Sequence, residues 1–129
     1  TRSIAVTGVQ TCALPISVDG QPRVYEHVAS LAQGPWNLNG QLGLVVGATY
    51  PAEIERVREL APTVPLLIPG VGAQGGDAVA TVKAGWREGA SIIINSSRAV
   101  LYASSGEDFA EAARQVAMAT RDTLEAAKA

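Results

Sequence analysis

Three short apolar runs set the frame of this chain: Leu42-Gly43-Leu44-Val45-Val46-Gly47, Leu66-Leu67-Ile68 and Ile92-Ile93-Ile94. None shows the polar alternation of a strand with one wet face, so each predicts a strand covered on both sides. Amphipathic segments separate them. Pro51 to Leu60 sets Ile54, Val57 and Leu60 inward on a helix, and Asp77 to Ala84 does the same with Val79 and Val82. Doubly apolar strands that each lead into an amphipathic helix pack as a parallel β/α structure. The strand-to-strand period of roughly 23–26 residues suits a (β/α) barrel, with an open doubly wound sheet as the alternative.

The flanks extend the pattern. Gln21 to Gln33 predicts a helix, with Pro22 in its first turn, Val24, Val28, Leu31 and Ala32 on one face and Gly34 as its stop. His27 falls on the polar side beside Glu26 and reads as a surface residue. Gly34 to Gly40 is a loop by composition, with Trp36 expected to cover the helix end. A last helix runs from Glu107 to about Ala126, with Phe109, Ala113, Val116, Ala117, Thr120 and Leu124 along one face. Ser104 and Glu107 stand at capping-box spacing before it. One helix and three βα units amount to less than half of an eight-fold barrel. Such a piece predicts bare strand edges, a half-open interior, and marginal stability or association.

Composition narrows the function classes. The 129 residues suit one domain, and 47% hydrophobic with 17% charged residues describe a folded globule. A net charge of −2 without a basic cluster argues against nucleic acid as a partner. No apolar run reaches the roughly 18–20 residues of a membrane span. The single Cys12 cannot close an internal disulfide, which points to a reducing, cytoplasmic setting. Its neighbourhood is unusual. Val6 to Ile16 resembles the in-frame translation of a DNA-sequencing library adapter, and Thr1 and Arg2 fit the upstream adapter. Residues 1–17 are therefore expected to be a non-native scar, with 18–129 as a partial barrel domain. A secretory leader is the rival reading, but Thr7, Gln10 and Thr11 break its apolar run.

The chemistry concentrates where strands end. In parallel β/α proteins the loops after the strand C-termini carry function, and in barrels the last two commonly hold phosphate. Here those loops are Pro69-Gly70-Val71-Gly72-Ala73-Gln74-Gly75-Gly76-Asp77 and Asn95-Ser96-Ser97-Arg98. The glycines allow sharp turns and close backbone approach to a ligand. Gln74 offers both an acceptor and donors. Arg98, at a strand end without a helix, adds a fork of donors beside the N–H groups and hydroxyls of Ser96 and Ser97. Asp77 reads as a helix N-cap, not as an acid catalyst. The chain has two lysines, Lys83 and Lys128, and neither is on a strand-end loop. No nucleophile–base set and no metal-spaced cluster is present. These residues describe a phosphate-binding half without a reacting half.

The run Leu66 to Asp77, followed by Asn95-Ser96-Ser97-Arg98-Ala99-Val100-Leu101-Tyr102, closely resembles the C-terminal part of orotidine 5′-phosphate decarboxylase. The resemblance is to the branch with a PGxGAQGGD loop and an NSSR strand end, and it extends over about Val18 to Ala126. It implies a TIM (β/α)8 barrel, usually homodimeric, that converts orotidine monophosphate to UMP and CO2 in pyrimidine biosynthesis without cofactor or metal. It further implies that Gln74 contacts the phosphate and reaches toward the pyrimidine. Arg98 would clamp the phosphate, with Ser97 and Gly75 assisting, and Gly72, Ala73, Asn95 and Ser96 are candidate substrate contacts. The family's catalytic Lys and Asp residues, in a DxKxxD-type arrangement, have no counterpart here, so no catalytic residue is expected in this chain. Two alternatives remain: another sugar-phosphate barrel enzyme of the hexulose-phosphate synthase kind, and a non-catalytic nucleotide- or phosphate-binding module.

Overall fold

The computed structural model describes residues 5–9, as backbone, together with 20–72 and 76–128. Four strands, β1 (Ala5–Val9), β2 (Leu42–Val46), β3 (Leu66–Pro69) and β4 (Ile92–Asn95), form one parallel sheet in chain order. Helices α1 (Val24–Gln33), α2 (Pro51–Leu60), α3 (Ala78–Gly85), α4 (Arg98–Leu101) and α5 (Phe109–Ala126) fill the connections and the C-terminal end. A sheet that grows by one strand at a time in one direction has the winding of a barrel. A doubly wound sheet would reverse its order part-way.

β1 lies inside the stretch expected to stand apart from the fold. It pairs in parallel with the whole of β2, from Ala5 opposite Leu42 to Val9 opposite Val46. The physical reason is the edge itself: an extended pentapeptide satisfies the backbone groups that β2 would otherwise leave bare. Residues 1–4 and 10–19, with Cys12 among them, lie outside the described residues.

Burial separates the two faces of the sheet. Leu44, Val46, Leu66 and Ile68 point toward the helices and are fully buried, meeting a core that includes Ile54, Val57 and Ala29. Each such aliphatic side chain contributes about 1.5–3 kcal/mol on burial. The opposite face lacks the cover that the strand pattern alone predicts and agrees with the half-open interior expected of a partial barrel. Val45 and Leu67 are only half-buried there, and Ile93 is 60% exposed.

Several helix details depart from the sequence pattern. α1 starts at Val24 and not at Gln21, because Arg23 is extended and its N–H donates to the Glu26 carboxylate at 2.8 Å. Its buried face is Tyr25, Ala29 and Ala32, whereas Val24 is exposed. α2 spans Pro51–Leu60 as expected, with proline at its start and Ile54 and Val57 buried. In α3, Val79 is exposed while Thr81, Val82 and Ala84 turn inward. α5 begins at Phe109, which is exposed. In place of the capping box, the Ser104 hydroxyl donates to Asp108 and accepts from the Gly106 N–H. None of the α5 residues is fully buried, for this helix leans on α4 and α3. His27 is exposed, in keeping with its surface reading, and Trp36 is half exposed.

One residue that the sequence pattern does not single out ties the strand starts together. Arg58 is 2% exposed, and its guanidinium donates to the carbonyls of Gly85 (2.7 Å), Val64 (2.8 Å) and Ala61 (3.1 Å). Longer bonds reach Pro62 and Ser91. These carbonyls end α2 and α3 and precede β3 and β4, so one cation serves the negative ends of two helices. Burial, and to a lesser extent the charge of Arg87, lowers its pKa to about 10, which leaves it charged at neutral pH.

Candidate phosphate-binding site

Register brings the two candidate loops together. β3 and β4 pair from Leu66 opposite Ile92 to Pro69 opposite Asn95, so both strands finish level. Gly70 and Ser96 therefore begin neighbouring loops at the same height. Gly70 (φ 97°) and Gly72 (φ 77°) occupy the left-handed region, where a side chain would be strained. The loop then closes on itself: the Gly76 N–H donates to the Gly70 carbonyl at 3.1 Å, and the Gly72 N–H donates to the Gly76 carbonyl at 2.9 Å.

Gly76 is where the loop meets its other neighbour. A Cβ built on it would lie 2.6 Å from Ala48 Cβ and 2.7 Å from the Gly70 carbonyl oxygen. Ala48 belongs to the loop after β2, and its N–H donates to the Pro69 carbonyl at 2.8 Å. The loops after β2 and β3 are thus locked together at Gly76, which leaves no room for a side chain. The sequence points to Gly76 only as one glycine among several, because its contact with Ala48 depends on the register of β2 against β3.

Asp77 caps α3 as expected, its Oδ1 accepting from the Ala80 N–H at 2.9 Å. The start of α3 thus already has its own anion. The Ala73, Gln74 and Gly75 positions lie outside the described residues.

The second loop is more open. Asn95 ends β4 on the uncovered face of the sheet and is exposed. Ser96 is half-buried and, with Gly72, Gly76 and Ala78, lines a depression of about 350 Å³ closed by Val116 and Thr120 of α5. Ser97 and Arg98 are exposed. Arg98 opens the one-turn helix α4, which corrects the expectation of a helix-free strand end. The Ser97 hydroxyl makes no capping bond to that helix, and among the described residues no ion pair engages the Arg98 guanidinium. A salt-bridged surface arginine would have a carboxylate partner. Lys83 is exposed on α3, and Lys128 pairs with Glu125 at 2.7 Å, so neither serves the site.

A larger depression, about 610 Å³, lies at the other end of the sheet and is lined by residues such as Leu42, Gly43, Pro65, Leu67 and Ile93. It sits over the strand starts, the wrong end for the ligand of a parallel β/α protein. Among the described residues no cluster of His, Cys, Asp or Glu could hold a metal ion. No helix among them is long and apolar enough to cross a membrane.

With this geometry in hand, similarity to known proteins is decisive. Orotidine 5′-phosphate decarboxylase of Variovorax paradoxus is 83% identical over 111 residues, covering 86% of this chain and 40% of that protein. The chain is similar to a portion of the orotidine 5′-phosphate decarboxylases. The decarboxylase of Polaromonas naphthalenivorans agrees, at 80% identity over 113 residues, 88% of this chain and 40% of the relative. The chain thus spans about two fifths of the length of the curated relatives it matches. Among solved structures, Leishmania donovani UMP synthase superposes with a TM-score of 0.70 at 42% identity, over 86% of this chain and 24% of that one. Leishmania donovani OMP decarboxylase gives 0.68 at 37% identity, over 87% and 42%. No family model matches the chain. The parallel sheet in chain order is accordingly a portion of the TIM barrel that the decarboxylase structures share.

Proposed function

We propose that this chain carries the phosphate grip of an orotidine 5′-phosphate decarboxylase, the enzyme that converts orotidine monophosphate to UMP and CO2. The observation that carries this reading is the level ending of β3 and β4. It sets the glycine loop beside Ser96, Ser97 and an Arg98 free of ion pairs among the described residues. Arg98 supplies charge-assisted hydrogen bonds to the phosphate, with the N–H group of Ser97 beside it. Gln74 and Gly75 are assigned to the same ligand from the family motif, as are contacts from Gly72, Ala73, Asn95 and Ser96.

The reacting groups belong to the part of the relatives that this chain does not span. Phosphate binding far from the reacting carbon still matters to such a reaction, because remote binding energy can be used in the transition state. On its own the chain binds the nucleotide without decarboxylating it. The intact enzyme is a cytoplasmic homodimer in this reading, and residues 1–17 are a non-native extension. The match to the Variovorax enzyme fits that extension in size, since 111 of 129 residues take part.

Calorimetry with UMP tests the grip. The native chain should bind UMP, and Arg98→Ala should weaken binding by about ten- to hundredfold, the worth of a charged hydrogen-bond pair. A folded chain that ignores UMP, or an Arg98→Ala variant that binds it equally well, contradicts the proposal.

A further inference from the structure

The loop after β2 gives the phosphate site no side chain, yet it meets the glycine loop at one buried point. Ala48 is 1% exposed and belongs to the main core cluster, so its methyl group has no surface to present to a ligand. It has a neighbour instead. A Cβ on Gly76 would stand 2.6 Å from Ala48 Cβ, so the hydrogen in that place lies against the alanine methyl. The Ala48 N–H donates to the carbonyl of Pro69, the last residue of β3, at 2.8 Å. Ala48 therefore touches the glycine loop where it leaves the strand and again near its far end.

Gly76 is also where the loop's own bonds converge. Its N–H donates to the Gly70 carbonyl at 3.1 Å, and its carbonyl accepts from the Gly72 N–H at 2.9 Å. Val71, between those two left-handed glycines, is buried in the same cluster as Ala48. Close-packed interiors transmit small displacements, so a shift of Gly76 reaches Gly70 and Gly72 through both bonds. We propose that Ala48 is a positioning residue for the phosphate site: its methyl group fixes Gly76, and Gly76 fixes the described ends of the glycine loop. The size of the residue decides the effect. Glycine leaves a gap into which Gly76 can move, whereas valine pushes it away, since extra methyl groups in a close-packed site displace their neighbours. The ligand half of this proposal rests on the phosphate reading, and the loop half does not.

Two measurements on Ala48→Gly test the two halves separately. In the ligand-free chain, amide hydrogen exchange at Gly72 and Gly76 should speed up by about tenfold, because loops open locally and not with the whole fold. In calorimetry, UMP affinity should fall by about tenfold, because a loop that is no longer preorganised must be ordered on binding. Ala48→Val should weaken UMP binding at least as much, and it carries the test if Ala48→Gly does not fold. Ala29→Gly, on the buried face of α1, controls for ordinary core loss. It should lower the denaturant midpoint and leave both readouts at their native values. Unchanged exchange at Gly72 and Gly76 overturns the proposal. So does unchanged UMP affinity in both Ala48 variants, or an equal response to Ala29→Gly. A native chain that ignores UMP overturns the phosphate reading, and the exchange measurement then decides alone whether Ala48 holds the loop.

Discussion

Arg58 and Arg98 stand at opposite ends of the same short sheet and have opposite surroundings. Arg58 is 2% exposed and donates to carbonyls at two helix ends and two strand starts. Arg98 is exposed at the strand ends, beside a glycine loop, with no ion pair among the described residues. One guanidinium is consumed by the fold, and the other is the one we propose for the phosphate. This division follows the general polarity of parallel barrels, in which strand starts serve stability and strand ends serve chemistry. The same residue type thus has two uses, decided by which end of the sheet its neighbours put it on.

The largest expected effect lies at the strand starts. Arg58→Met leaves several buried carbonyls without a donor and should lower stability by about 3 kcal/mol or more. A denaturant midpoint measures this. UMP binding by the fraction that remains folded should be unchanged, and an equal loss of affinity and stability would blur the division between the two ends. Next comes Gly76→Ala, which drives a methyl group into Ala48 and the Gly70 carbonyl. Overpacking against backbone costs about 1–3 kcal/mol. Because the displaced atoms belong to the loops themselves, UMP affinity should fall along with stability in the same titration.

Arg98→Ala reverses the Arg58 pattern. Binding falls as stated above, while the denaturant midpoint stays within about 0.5 kcal/mol of the native chain, as for other exposed positions. The smallest effect belongs to Glu26 at the far helix layer. The side-chain hydrogen bond from Arg56 at 2.6 Å, with that from the Arg23 N–H, holds the Glu26 carboxyl below its ordinary value of 4.5. Its folded pKa is lowered, so its stabilisation is present above 4.5 and fades as pH falls through the lowered folded value. Glu26→Gln should flatten that acid limb slightly in a pH series of thermal melts and leave neutral-pH binding untouched.

How much of this was legible in the residues follows from which forces are local. Leu42 to Val46, Leu66 to Ile68 and Ile92 to Ile94 could be placed as strands because an apolar run needs burial wherever it sits. Asp77 could be placed as a cap because capping spans only three residues. Arg58 could not be recognised, since its acceptors are carbonyls from separated segments, and carbonyls leave no mark in residue type. The face of α1 was misjudged for a related reason: Val24 outranks Ala29 in hydrophobicity, yet close helix packing selects the small residue. The uncovered side of the sheet was legible only from the count of βα units, because Val45, Leu67 and Ile93 look the same whether a partner covers them or not. At the site, the loops and Arg98 were legible as motifs. Their meeting depends on Pro69 standing opposite Asn95, which only the folded register supplies.

The central claim, that Arg98 is the cation kept for phosphate, is tested most directly by NMR of its side-chain Nε–H during nucleotide titration. UMP should shift that resonance saturably, whereas uridine, which lacks the phosphate, should leave it in place. An Arg98 signal that stays fixed with UMP, or that moves equally with uridine, would contradict the account.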